Sequence, residues 1–224
     1  MSFDVVIVGS GPAGLSAAAR AQELGQSYVL LEGSDAHAHT IQRYQKGKHV
    51  MAEPGVVPLR SDLEFAAGSR EAVLGAWERG IDSFGINIRY DAEVTAISGG
   101  HPAFELALTG GESLTAKSVV LAIGLQGNPR KLGVPGEDAS FVQYTLDDPD
   151  DFSNETIVVV GAGDAAIENA VALSRQNSVV IINRRDEFAR AKEGNLTLIT
   201  RAIEDESISC FYNTNVASVE PGQA

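Results

Sequence analysis

The sequence has 224 residues, 44% of them hydrophobic, which is enough apolar content for one large or two small globular cores and too much for a disordered chain. Seventeen Lys and Arg against 30 Asp and Glu leave a net charge of -13, which disfavours nucleic acid and anionic membrane as partners. Every apolar run is too short to span a bilayer, and the single cysteine, Cys210, can form neither an internal disulfide nor a C-x-x-C redox pair, so a soluble cytoplasmic protein is expected.

The first predicted strand is the β-branched run VVIV at residues 5–8, which breaks at Gly9, Gly11 and Gly14 before an alanine-rich helix. That spacing predicts a dinucleotide-binding turn. Gly9 permits the sharp turn, Gly11 leaves room for a pyrophosphate against the backbone, and Gly14 lets helix and strand pack closely. The helix then directs its free N–H groups at the phosphates. Residues 28–31 predict the second strand, and Glu32 ends it 18 residues after Gly14, where a carboxylate would hold a ribose hydroxyl.

Residues 33–55 lack sustained periodicity, and Arg43, Lys46, Lys48 and His49 make them locally basic. They read as an anion-contacting loop over a bound cofactor, as a landing site for an acidic partner, or as a solvated loop. His37 and His39 have no third ligand nearby, so no metal is expected. Residues 59–80 carry helical spacing, with Ser61 or Ser69 as the N-cap and Trp77 in the core. From residue 86 the pattern alternates. The runs INIRYDAEVTAIS, PAFELALT and ESLTA predict an antiparallel β-meander, with turns at residues 98–100 and 110–111. Residues 118–123 return as a strand covered on both faces that ends at Gly124.

Residues 125–151 are rich in Gly, Pro and Asp and predict an inter-domain connection, which puts the expected domains at 1–124 and 152–224. The opening pattern then recurs as a strand at 156–160, a turn Gly161-Ala162-Gly163-Asp164-Ala165-Ala166, a helix at 167–174 and a strand at 178–182. Asp164 can satisfy free N–H groups at the start of that helix. The second strand ends in Asn183-Arg184-Arg185, with Arg190 and Lys192 following, where the first unit has an acidic residue. A ribose 2′-phosphate is held by guanidinium forks at this position, so the second turn reads as an NADP-type site. Two more strands are expected at 208–212 and 215–220, with Cys210 a buried structural thiol.

The order of these motifs resembles the flavoproteins with two dinucleotide-binding domains, in particular the thioredoxin-reductase-like branch of the pyridine nucleotide-disulfide oxidoreductases. It is carried by GSGPAG with Glu32, by SVVLAIGLQGNPRKLGVPG, by GAGDAAIEN and by NRRDEFARAK. The resemblance implies a three-layer α/β fold of two Rossmann-like domains, the first with the meander inserted. It also implies FAD at the first turn, on Gly9, Gly11, Pro12, Ala13, Gly14, Glu32 and Gly124, and NADPH at the second, on Gly161, Gly163, Asp164, Ala165, Arg184, Arg185 and Arg190. The implied reaction passes a hydride from NADPH to flavin and electrons on to a small-molecule or protein acceptor, with no catalytic side chain and no metal.

Three departures accompany the resemblance. The C-x-x-C pair of thioredoxin reductases is missing. Ala13 stands where relatives similar to bacillithiol-disulfide reductases have cysteine, although RYQKGKHVMAEP at 43–54 is similar to that subgroup and to flavoproteins fused to iron–sulfur or cyclic-nucleotide-sensing modules. The chain also ends without the expected return to the first domain, so a fragment is expected, with a homodimer or fused redox or regulatory modules as candidate partners. A flavin monooxygenase and a non-catalytic nucleotide-binding module are the alternative functions.

Overall fold

A computed structural model describes residues 2–51, 60–124 and 130–221. The chain divides into two compact units, residues 1–128 and 129–224.

In the first unit, β1 (Ser2–Val8) leads through the glycine turn into α1 (Pro12–Glu23) and β2 (Tyr28–Leu31). A single helical turn, α2 (His39–Gln42), and the two-residue strands β3 (His49–Val50) and β4 (Gly68–Ser69) precede α3 (Arg70–Phe84). Then come β5 (Ile88–Arg89), β6 (Val94–Gly100), β7 (Ala103–Leu108) and β8 (Ser113–Leu121). The sheet order is β5-β2-β1-β8-β7-β6. Strands β5, β2, β1 and β8 run parallel, and β7 and β6 continue the sheet antiparallel.

Alternation along β1 places its side chains in two cores. Ile7 points to the helical side, with Leu15, Ala18, Leu30, Val73 and Trp77. Val6 points to the other side, with Leu31, Leu106, Leu114 and Ala116. Strand β2 is buried along its whole length, as an apolar run covered on both faces should be. Ser69 rather than Ser61 caps α3, its Oγ accepting from the Ala72 N–H at 3.3 Å. The Ser61 side chain is buried, and its Oγ has no hydrogen-bond partner among the described residues. Trp77 lies in the core as expected and meets Phe65 edge-on at 5.4 Å between centroids.

The meander departs from the sequence reading in three respects. The run beginning at residue 86 splits, because Ile88–Arg89 pairs with the parallel strand β2 and only Val94–Gly100 enters the meander. The runs expected as separate strands at 112–116 and 118–123 merge into one nine-residue strand, β8, with no turn residue between them. Its end is also not covered on both faces, since Leu121 and Ile123 are 61% and 69% exposed. At the opposite end of the sheet, the Asp4 carboxylate accepts from the Ser27 N–H and hydroxyl and from the Lys117 ammonium, which joins β1, the entry to β2, and β8.

In the second unit, a 3-10 turn (Pro149–Asp151) precedes β9 (Thr156–Val160), α4 (Asp164–Leu173), β10 (Ser178–Ile182), α5 (Glu193–Glu204) and β11 (Ile208–Phe211). The three strands are parallel in the order β11-β10-β9. Helices α4 and α5 cover one face through Ile167, Leu173, Ile181, Ile199 and Ile208. Val158, Val160 and Phe211 are exposed. The strand expected at 215–220 does not form, and the segment is tied instead by a bond from the Val219 N–H to the Pro135 carbonyl at 2.9 Å. Within the predicted connection, residues 125–129 lie outside the described residues, as do residues 52–59 of the basic loop and its continuation.

Candidate functional site

Each unit carries a glycine turn between a strand and the N-terminus of a helix. In the first, Gly9 has φ +97, and a side chain there would meet the Ala122 carbonyl oxygen at 2.6 Å. A Cβ at residue 14 would collide with the Gly9 carbonyl oxygen. Around Gly11, the N-cap of α1, a Cβ would meet nothing within 4 Å. The space is therefore left above the helix terminus, where α1 begins with exposed Pro12 and Ala13. Gly124 follows β8 with φ +64 and open surroundings, past the Ala122 residue against which Gly9 packs.

Glu32 leaves β2 beside this turn. One carboxylate oxygen accepts from the Ser10 N–H at 3.0 Å and the Ser10 hydroxyl at 2.5 Å, and the other from the Ser34 N–H at 3.0 Å and the Ser34 hydroxyl at 2.9 Å. Burial works to raise the Glu32 carboxyl, but the bonds from Ser10 and then Ser34 overcome it and hold it below its usual range. The group is thus an anion that the chain itself orients. Ser10 also binds the following loop, since the Ala38 N–H donates to the Ser10 carbonyl at 3.1 Å. Ser10 and Ser34 were not singled out from the sequence. Their signal was their position, one between the glycines and the other two residues past Glu32.

The second turn repeats the first with an alanine. Gly161 has φ +139, and its missing Cβ would meet the Ala166 methyl at 3.3 Å, so the third position tolerates alanine here. Gly163 caps α4 with open space around it, and Asp164 and Ala165 form the first helical residues. Asp164 is committed inside the protein, and to a helix other than its own. Its Oδ1 accepts from the Lys192 N–H at 2.9 Å and from Asn195 Nδ2 at 2.8 Å, while the same Nδ2 donates to Glu168 at 2.9 Å. It therefore ties the start of α4 to the entry of α5. Arg184, Arg185 and Arg190 are exposed beyond β10, and among the described residues none forms an ion pair.

Other sequence candidates stand apart from these turns. Lys48 lies 4.5 Å over the Tyr44 ring, and the Gly47 N–H donates to Glu71, so part of the basic loop is engaged within the first unit. Among the described residues no His, Cys, Asp and Glu cluster is suited to a metal ion, and no helix is long and apolar enough to cross a membrane. Cys210 is half-buried in β11, and burial pushes its thiol up.

Residues 6–221 match the family model described as pyridine nucleotide-disulphide oxidoreductase. The chain belongs to the pyridine nucleotide-disulphide oxidoreductases. Within that family it is 34% identical over 200 residues to a ferredoxin–NADP reductase of Ignicoccus hospitalis, covering 89% of this chain and 62% of the relative. It is 33% identical over 223 residues to the thioredoxin reductase of Treponema pallidum, covering 97% of this chain and 66% of the relative. The chain thus spans somewhat under two thirds of the length of these curated relatives. The bacillithiol disulfide reductase of Bacillus cereus superposes with a TM-score of 0.86 at 21% identity, over 98% of this chain and 70% of that one, which shows the shared α/β fold. Membership in the pyridine nucleotide-disulphide oxidoreductases fits a chain that repeats one strand–glycine turn–helix motif in two units.

Proposed function

We propose that this chain holds FAD at the first turn and NADPH at the second, and serves a NADPH-oxidising flavin oxidoreductase that delivers electrons to an external acceptor. The observation that carries this reading is the contrast between two otherwise equivalent strand ends. A carboxylate, Glu32, closes the first, and two exposed guanidiniums, Arg184 and Arg185, with no ion pair among the described residues, follow the second. The carboxylate suits a ribose diol, and the guanidiniums suit a 2′-phosphate.

The residues fit both groups. At the first turn, Gly11 leaves the α1 terminus open, Gly9 and Gly14 set the turn, Pro12 and Ala13 begin the helix, and Gly124 lies past the adjoining strand. At the second, Gly161, Gly163 and Ala165 form the phosphate turn, Arg184, Arg185 and Arg190 supply positive charge, and Asp164 fixes the helix start. When bound, the pair of cofactors supplies hydride transfer from nicotinamide to flavin. The protein's part is to bind and orient, and no side chain is assigned as nucleophile or proton donor. We assign residues 1–124 to the FAD domain, 125–151 to the connection and 152–224 to the NADPH domain.

The names ferredoxin–NADP reductase and thioredoxin reductase support a protein acceptor. Cys210 is the one cysteine of this chain, so the acceptor is reduced without a dithiol formed within it. The deciding experiment is the visible spectrum of the purified chain with FAD, before and after anaerobic NADPH. A retained flavin band that bleaches is expected. A chain that takes up no FAD, or a bound flavin that stays oxidised, would overturn the proposal.

A further inference from the structure

Glu32 and Asn183 occupy the same place in two copies of one motif, directly after β2 and β10. Each accepts the N–H of the residue two positions on. Ser34 donates to Glu32, and Arg185 donates to Asn183 Oδ1, both at 3.0 Å. The resemblance stops there. Glu32 uses both oxygens as acceptors, whereas Asn183 uses its other end as a donor, with Nδ2 bonded to the Glu187 carbonyl at 2.9 Å. Asn183 is 1% exposed.

Its backbone is equally engaged. The Asn183 N–H donates to the Phe211 carbonyl at 2.9 Å, and the Asn183 carbonyl accepts from Thr214 at 3.1 Å. The Arg185 carbonyl accepts from the Asn213 N–H at 3.1 Å, so both backbone groups of Arg185 are fixed. Three residues further on, Phe188 is buried and meets Tyr212 edge-on at 5.9 Å. At the far end of the segment, Asp164 holds the Lys192 N–H. The stretch carrying Arg184, Arg185 and Arg190 is therefore fastened at its start, middle and end, while the arginine side chains themselves project exposed.

We propose that Asn183 is the positioning and specificity-determining residue of the second nucleotide site: its amide shapes the turn that presents Arg184 and Arg185 to a 2′-phosphate. This rests on the NADP-type reading of that site. The turn needs an acceptor for the Arg185 N–H and a donor for the Glu187 carbonyl on one short side chain, and asparagine supplies both. Aspartate supplies only the acceptor and adds a negative charge beside the phosphate position. Alanine supplies neither, and leaves two backbone groups unsatisfied. With the turn fixed on folding, ordering the arginines costs little on binding.

The test is calorimetric titration of the whole chain with ADP-ribose and with its 2′-phosphorylated form, which differ only in the phosphate and need no flavin. The unmodified chain should favour the phosphorylated ligand. Asn183→Asp, which keeps the side-chain size and one bond, should lower that preference by about tenfold or more while ADP-ribose affinity stays within about twofold. Asn183→Ala should lower it similarly. A preference unchanged in Asn183→Asp, or an equal loss for both ligands, overturns the positioning role. An unmodified chain that does not discriminate overturns the NADP-type reading and the proposal with it.

Discussion

Gly14 lies directly beneath the Gly9 carbonyl, so closely that a Cβ at residue 14 would fall inside the contact radius of that oxygen. Gly9 itself adopts φ +97 and cannot back away toward Ala122. Gly14→Ala should therefore push the turn apart, lower the thermal midpoint and abolish FAD uptake. Gly11→Ala meets no protein atom within 4 Å, so it should leave the midpoint nearly unchanged and still reduce flavin retained through gel filtration. If both substitutions shift the midpoint equally, the distinction between a packing glycine and a ligand-facing glycine fails.

Arg184 and Arg185 carry the second expectation. Each charge-assisted bond to a 2′-phosphate contributes roughly 1.5–3 kcal/mol, so Arg184→Ala and Arg185→Ala should each weaken NADPH binding about tenfold or more. NADH binding should change little. Fluorescence titration with both nucleotides measures the ratio, and equal losses would remove the case for a 2′-phosphate site.

Asp4 gives a pH dependence with a definite sign. The Lys117 ammonium, and then the Ser27 hydroxyl and amide, hold its carboxyl down at about 2. Because the folded value lies below the ordinary carboxylate value, the stabilisation is complete above that ordinary value and is lost as pH falls through about 2. Asp4→Asn should thus be less stable than the unmodified chain near neutrality, with the gap closing in acid. Urea midpoints across that range test it, and a gap that widened on acidification would contradict the assignment.

Trp77 is buried against Phe65, Leu63 and Val73 in the helical core of the first unit. Trp77→Ala should destabilise that unit by about 3–5 kcal/mol, measured by chemical denaturation, through the cavity it leaves. The second unit shares none of that core, so circular dichroism should show it losing structure later than the first.

Much of the fold was legible because its signals are short-range. The β-branched run before Gly9, the glycine spacing, the buried strand Tyr28–Leu31 and their repetition at Thr156–Ile182 all lie within windows that periodicity can read. Strand β8 was misread as two because its pattern changes, from alternation beside the meander to an apolar run beside β1, with no change in backbone direction. Residues 215–220 alternate like a strand, yet the bond to Pro135 gives them an attachment outside the β9–β11 sheet. The site was legible at its glycines, Glu32 and arginines. The roles of Ser10, Ser34, Asn183 and Asn195 were not, because a serine or asparagine announces no partner, and theirs lie up to 31 residues away. Asp164 was legible at its helix start, but its bonds to Lys192 and Asn195 across to α5 were not.

The single strand β8 has a consequence for how the first unit comes apart. It pairs with β1 on one side and with β7 on the other, so one stretch of backbone belongs to both the nucleotide sheet and the meander. Neither half can detach its ladder without exposing the other's. Amide exchange across β1, β7 and β8 should therefore proceed through one shared opening, with similar protection in all three strands, and the meander should fray no sooner than the strand that leads into the glycine turn.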